Sequence, residues 1–305
     1  MKKIKIAVVG VGHLGAIHTK VYSTLKNVEL VGVCDKNPEK LSEFTTRYNI
    51  EGFTNVNQML DRVDAVSIAV PTIYHYETAK PFLEKGIAVL LEKPMAATLQ
   101  EAKKILNIAK KNNAILQIGH IERFNPAIQS IRKITIDPRF IECHRLAPYN
   151  PRGTDVSVVL DLMIHDLDIV LTFIDSKIKR IDAIGTPVLS KQEDIANVRI
   201  VFENKAVANL TSSRISFQSM RKIRIFQHNA YISIDYVEQS ATLYKKVKNR
   251  IQQIGIPIQK EQPLQKEIVS FINCVRNKTQ PIVSGEQGFR ALQTAFKIIR
   301  KIRNG

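Results

Sequence analysis

The sequence predicts an α/β chain in two parts: an N-terminal doubly wound parallel sheet, then an α+β domain with a mixed, largely antiparallel sheet. Three observations carry this expectation. Apolar strand-like runs alternate with helical segments over residues 1–120; strand-like segments then follow one another after Gly119; and G-x-G-x-x-G stands at the first strand–helix junction.

Residues 3–9 are β-branched and apolar, and a glycine turn leads into a helix over about 13–25. A second strand spans 28–34, and Asn37-Pro38 opens the next helix, as a capping residue before a proline should. Short apolar strands at 65–70 and 87–91 flank a helix at 77–85, and a helix at 99–111 leads to the strand 115–118. Near-continuous apolar strands joined by helices predict a parallel sheet covered on both faces. Beyond Gly119, strands are expected at 140–145, 181–188, 197–202, 206–212, 222–227 and 230–236, with Glu203-Asn204-Lys205 as a hairpin turn. One helix, 157–174, interrupts them. Another begins at Pro263 and places Leu264, Ile268, Phe271, Ile272 and Val275 on one face. The expected division is a dinucleotide-binding domain at 1–120, a substrate-binding domain at 121–285, and a last helix, 286–303, packing back on the first domain.

The gross numbers narrow the function classes. A chain of 305 residues suits two domains better than one. No apolar run approaches the length that crosses a bilayer, and the start lacks the apolar stretch of a signal peptide. Cys34, Cys143 and Cys274 are far apart and form no metal-like spacing, which predicts a reducing, cytoplasmic setting without a metal or a membrane. The net charge of +17 is spread along the chain, with modest runs at 244–250 and 297–303. Around the second run Phe296, Ile298, Ile299 and Ile302 interleave with the basic residues, the pattern of an amphipathic helix with a solvated face. No basic arm or stacking-aromatic motif accompanies the charge, so nucleic acid is not the expected partner. An anionic small molecule is compatible with it.

Gly10-Val11-Gly12-His13-Leu14-Gly15 follows a strand and opens a helix. In that place the glycines serve a tight turn, close approach of backbone to a pyrophosphate, and close helix–strand packing. The helix N-terminus presents unpaired N–H groups and a positive dipole end. Asp35 ends the second strand twenty residues after Gly15, where a carboxylate accepts from the adenosine ribose hydroxyls and repels a 2′-phosphate. NAD is therefore expected over NADP, although Lys36 leaves room for dual use. His13 either lies near the pyrophosphate or packs its helix, and His18 is read as structural.

The helix over 158–171 is apolar almost all round and should be buried. Asp161, His165 and Asp168, at i, i+4 and i+7, fall on one stripe that either pairs internally or faces a wet cleft. Glu92-Lys93-Pro94 stands at the end of a parallel strand, the place where open α/β sheets bind ligands. Taken alone, Lys93 also reads as a surface lysine.

Gly10 to Gly15, Pro71-Thr72-Ile73-Tyr74-His75, Glu92-Lys93-Pro94 and Asp161 to His165 occur in the order and approximate spacing of the Gfo/Idh/MocA oxidoreductases, and the chain resembles that family over essentially its whole length. The resemblance implies a Rossmann domain and a mixed-sheet domain whose open face makes homo-oligomer contacts. It implies that Lys93, Asp161 and His165 form the catalytic constellation and also meet the substrate. Gly10, Gly12, His13, Leu14, Gly15, Asp35, Pro71, His75, Glu92 and Lys93 would then flank the cofactor, with helix capping the alternative for His75. Lys93-Pro94 matches a peptide that is often cis in the family. The segments 119–126 and 144–155 resemble the branch that oxidises the 3-hydroxyl of UDP-N-acetylglucosamine in synthesis of the diamino sugar of some lipid A molecules. Under that resemblance Arg123, Arg145 and Arg152 are candidates for a diphosphate, whose oxygens suit forked donors. Each is also readable as a structural or surface arginine.

Two other readings stay open: a dehydrogenase of a free sugar or inositol, and a non-catalytic NAD-binding regulator on the same fold. Lys93 and His165 together argue against the regulator, which needs no proton acceptor. A metal hydrolase is disfavoured, because no segment near Asp161 and His165 offers a third ligand.

Overall fold

A computed structural model describes residues 2–135, 137–151, 154 and 156–304. Two compact units emerge. One comprises the residues up to His120 together with Leu264–Phe289, the other Ile121–Pro263 with the residues from Arg290 onward.

The first unit alternates β1 (Ile4–Val9), α1 (His13–Thr24), β2 (Val28–Cys34), α2 (Pro38–Tyr48), β3 (Glu51–Phe53), β4 (Ala65–Ile68), α3 (His75–Glu84), β5 (Ala88–Glu92), α4 (Leu99–Lys111) and β6 (Leu116–Gly119). All six strands are parallel, in the order β3-β2-β1-β4-β5-β6. Local chemistry sets the joints. Asn37 caps α2 through Lys40 N at 3.1 Å, with Pro38 as its first residue. Thr98 and Glu101 close a reciprocal capping box on α4. β4 and β5 are buried along their whole length, which is why they read as continuous apolar runs.

The second unit carries α5 (Pro126–Ile131), β7 (Pro138–Leu146) and a π-helical turn, Val159–Met163, that runs into α6 (Ile164–Phe173). Then come β8 (Ile178–Thr186), β9 (Ile195–Phe202), β10 (Val207–Ser213), β11 (Met220–Gln227), β12 (Ala230–Asp235), β13 (Ser240–Val247) and β14 (Arg250–Gly255). They form one sheet in the order β14-β13-β12-β11-β7-β10-β9-β8, with β7 and β10 parallel and every other pair antiparallel. One face is the core: Ile141, Val198, Ile200, Leu210, Ile223 and Ile232 pack with Leu167, Val170 and Ile298. On the other face a ring ladder crosses four strands, Phe140–Phe226–Tyr231–Tyr244, with centroids 5.5, 5.2 and 4.4 Å apart.

The last two helices revise the expected division. α7 (Pro263–Asn277) seats Ile268, Phe271 and Ile272 in the core of the first unit beside Ile6, Val8 and Leu90. The apolar face foreseen from the sequence thus belongs to the parallel sheet, and the second unit breaks off at Pro263 and resumes at Arg290, where the sequence reading runs it on to residue 285. α8 (Gly285–Arg303) divides: Gly288 is closed over by Ile118 of β6, while Ala295, Ile298 and Ile299 join the core of the second unit. Packing the whole last helix on the first domain is therefore corrected to packing only its first turn there, because its apolar residues beyond Arg290 belong to the other core. Among the described residues no helix is long and apolar enough to cross a membrane, and no cluster of three or more His, Cys, Asp or Glu could hold a metal.

Candidate functional site

The first unit gathers its candidates on one edge. Parallel strands end on the same side, so the segments after β1, β2, β4 and β5 converge there: Gly10–Gly15, Asp35, Pro71–His75 and Glu92–Pro94. Gly15 must be glycine, since a Cβ there would stand 1.7 Å from Gly10 O. Gly12 faces open space on its side-chain side, and α1 starts without any side-chain cap, leaving first-turn N–H groups for an anion. His13 and Leu14 are exposed beside it. These features fit the pyrophosphate of a dinucleotide.

Asp35 is held from both sides, accepting from Val11 N at 2.8 Å and Asn37 N at 2.9 Å. It thereby ties the glycine loop to the end of β2. Lys36 turns its ammonium over the Tyr74 ring, 5.0 Å from the centroid. Pro71 is exposed at the end of β4, whereas His75 is buried with Nδ1 3.0 Å from Pro94 O and Nε2 3.0 Å from Val70 O. With both ring nitrogens against protein carbonyls, His75 joins two loops of the edge. The Lys93-Pro94 peptide is cis, and Lys93 is half-buried.

Behind Lys93 lies a buried polar group that sequence reasoning missed. His18 Nε2 stands 3.1 Å from Glu92 Oε1, and its Nδ1 lies 2.6 Å from Ser67 Oγ. Glu92 Oε2 also accepts from Lys93 N at 3.3 Å. Burial works against the Glu92 charge, but His18 and Lys93 outweigh it and hold the carboxyl below its usual range. Glu267 of α7 is the opposite case. It is buried, neither carboxyl oxygen has a hydrogen-bond partner, and burial followed by the charge on Glu92 pushes it well up. A signal for His18 was present, because Gly15, His18, Thr19 and Tyr22 form the buried stripe of α1 at helical spacing.

In the second unit Asp161 sits on the π-helical turn and His165 at the start of α6, both half-buried. The expected three-residue stripe divides here. Asp168 turns inward, where Arg123 Nε lies 3.3 Å from its Oδ2 and Arg123 also donates to Thr172 Oγ1. Asp166, between them in sequence, is buried too and takes both arms of Arg145, at 2.9 Å from Nε and 2.8 Å from Nη2.

These pairings change the reading of the arginines. Arg145 additionally donates to Glu122 Oε1 at 2.9 Å and lies over the Tyr236 ring at 5.2 Å. Burial opposes its charge, but Asp166 and Glu122 outweigh that and hold the guanidinium well above its usual range. Arg123 and Arg145 keep only 3% and 4% of their side-chain surface exposed. Arg145 is thus bonded to buried carboxylates and Arg123 lies beside one, the structural reading that the sequence also allowed for each. Arg152 lies outside the described residues.

Similarity to known proteins agrees with this arrangement. Residues 4–120 match an oxidoreductase family with an NAD-binding Rossmann fold, and residues 137–233 match a GFO/IDH/MocA C-terminal domain. The UDP-N-acetylglucosamine 3-dehydrogenase of Acidithiobacillus ferrooxidans is 33% identical over 98% of this chain and 97% of its own length. A solved structure of that enzyme superposes with a TM-score of 0.95 over 100% of this chain and 99% of the other, at 32% identity. The myo-inositol 2-dehydrogenase of Thermotoga maritima is 22% identical over 96% of this chain and 94% of its own length.

Proposed function

Because this chain belongs to the Gfo/Idh/MocA oxidoreductase family, we propose that it oxidises the 3-hydroxyl of UDP-N-acetylglucosamine with NAD. One observation carries the substrate: similarity over nearly its full length to an enzyme named for that reaction. The glycine loop, Asp35 and the end of β5 are the residues that would hold the dinucleotide. When bound, the nicotinamide takes hydride from the carbon that bears the hydroxyl. The chain must supply the rest, which is removal of the hydroxyl proton and stabilisation of the developing oxyanion. His165 is assigned the proton, since imidazole titrates near neutrality. Lys93 is assigned the donor to the same oxygen, and Asp161 orients His165 or holds a neighbouring hydroxyl. Of the three arginines first considered for the diphosphate, Arg152 retains that role.

Thermal unfolding tests the substrate. A ligand that binds only the folded state at about 100 times its Kd adds roughly 2.7 kcal/mol. With NAD present, UDP-N-acetylglucosamine should raise the midpoint clearly, and N-acetylglucosamine without the nucleotide far less. Equal shifts would transfer the assignment to a free-sugar or inositol dehydrogenase, the reading that the internal pairing of Arg123 and Arg145 favours.

The choice of NAD over NADP is read from Asp35, a carboxylate at the end of β2 that would repel a 2′-phosphate, while Lys36 is directed at Tyr74. Asp35→Ser should weaken NAD and relax discrimination against NADP, measured as the ratio of kcat/KM for the two. A wild-type preference for NADP would remove the ribose role. The ring ladder on the open sheet face supports self-association through β7 and β11–β13. A cytoplasmic place in synthesis of the lipid A diamino sugar follows from the proposed substrate.

A further inference from the structure

We propose that His18 is a positioning residue for Lys93: through the Glu92 carboxylate it ties the end of β5 to the helix that carries the phosphate-binding glycines. This rests on the reading of Lys93 as the donor to the substrate oxygen. His18 and the adjacent pair Glu92-Lys93 are far apart in sequence and meet inside one unit. His18 lies one turn into α1, just after Gly15, and its ring is wholly buried. Its two nitrogens face Ser67 of β4 and Glu92 of β5, so one imidazole spans two neighbouring strands.

The Glu92 carboxylate is fixed on every side that can be identified. His18 Nε2 stands 3.1 Å from Oε1, the Lys93 backbone N–H donates to Oε2, and the group lies flat on Gly119 of β6. A Cβ at residue 119 would come within 2.9 Å of Oε2, so the glycine makes the seat. The titratable groups around this carboxylate are His18 and Tyr22 from α1, His75 from α3, Glu267 from α7, and Lys93 itself. Buried His120 follows the seat on β6. Burial and the charge on Glu92 push Glu267 well up, whereas Glu92 is held below its usual range.

Two consequences follow for Lys93. A carboxylate anchored beside its backbone fixes where the residue leaves the strand, and a displacement of about 1 Å at a reacting group can cost 10²-fold in rate. The Lys93 N–H, 3.3 Å from Oε2, also follows the carboxylate if that group shifts. Removing His18 takes away the side chain that lies 3.1 Å from the buried carboxylate, so that the group must move or take a proton. Either response reaches Lys93.

The test compares His18→Leu, His18→Gln, Glu92→Gln and Lys93→Ala in the NAD-saturated enzyme with UDP-N-acetylglucosamine. His18→Leu should lower kcat by roughly 10–100-fold with NAD affinity near the wild-type value. His18→Gln, which keeps an N–H donor, should recover most of that loss. Glu92→Gln, which disturbs both the contact to His18 and the seat of the Lys93 N–H, should lower kcat by a similar factor. If His18→Leu does not fold, Ser67→Ala, which frees the other side of the ring, replaces it beside Glu92→Gln. Wild-type kcat in the His18 and Glu92 variants, with Lys93→Ala inactive, would overturn the positioning role. So would a loss confined to thermal stability. Near-wild-type turnover in Lys93→Ala would instead remove the underlying reading of Lys93.

Discussion

His165→Ala is expected to lower turnover by roughly 10²–10⁴-fold while NAD affinity stays nearly unchanged. The expectation comes from how α6 distributes its polar groups. Asp166 and Asp168 are buried and occupied by Arg145 and Arg123. His165 and Asp161 remain half-buried, so they are the ionisable side chains of this segment that water or a ligand can reach. Oxidation of a secondary alcohol needs a base within hydrogen-bond reach of the hydroxyl, and imidazole suits neutral pH. Asp161 lies on a π-helical turn, a widened turn that often accompanies functional residues. Single-turnover measurements of NADH formation check the effect on chemistry, and fluorescence titration checks cofactor binding. Lys93→Arg should be nearly as damaging, because a planar fork cannot take the place of a compact ammonium. Wild-type rates in His165→Ala would sink the assignment.

Arg145→Leu should remove about 3–5 kcal/mol of stability. The guanidinium is buried in a core face, forked onto Asp166 and bonded to Glu122. Deleting it strands two buried carboxylates, and an uncompensated buried charge costs more than the pair itself contributes. The stranded Asp166 would then need a proton, so the deficit should shrink as pH falls toward the range in which carboxylates protonate. Denaturant unfolding at neutral and acid pH reads both effects. Adding Asp166→Leu to the variant should return part of the loss, since two apolar groups replace an ion pair at lower cost than one orphaned charge. An Arg145→Leu protein as stable as wild type, but with weakened binding of a nucleotide sugar, would restore the substrate role that burial argues against.

Strand parity bears on that placement. Ile141, Cys143 and Arg145 alternate onto one face of β7, and the first two are plainly core residues. The alternation therefore already placed the arginine inside. What it could not supply was the partner, because Asp166 lies 21 residues away on a helix whose rotation depends on packing. Similarly, helical spacing placed Asp161, His165 and Asp168 on one stripe, and the π-helical turn together with Arg123 separated them. β3 has only three residues and β14 is exposed throughout, so neither carries the apolar run by which strands are recognised. The hairpin of β13 and β14 instead read as a basic stretch. Its two-residue turn has Lys248 at φ 54°, where asparagine or glycine is the usual signal.

What the sequence by itself determined is the part of this protein governed by local periodicity and local sterics. Continuous apolar runs between helices specified the parallel sheet, alternation specified the mixed sheet, and three glycines at a strand–helix junction specified the anion-binding turn. The tertiary structure decided which surface each amphipathic element covers and which charges meet. An apolar face on α7 is equally satisfied by either core, and only the fit of Ile268, Phe271 and Ile272 against the parallel sheet chose between them. A buried histidine reads the same in sequence whether it fills space or holds a carboxylate. His18 became the latter because folding brings β4 and β5 alongside α1, 49 residues from Ser67 and farther still from Glu92. Hydrophobic burial is non-directional and leaves its mark as a pattern along the chain, whereas an ion pair is directional and depends on coordinates that no local pattern contains.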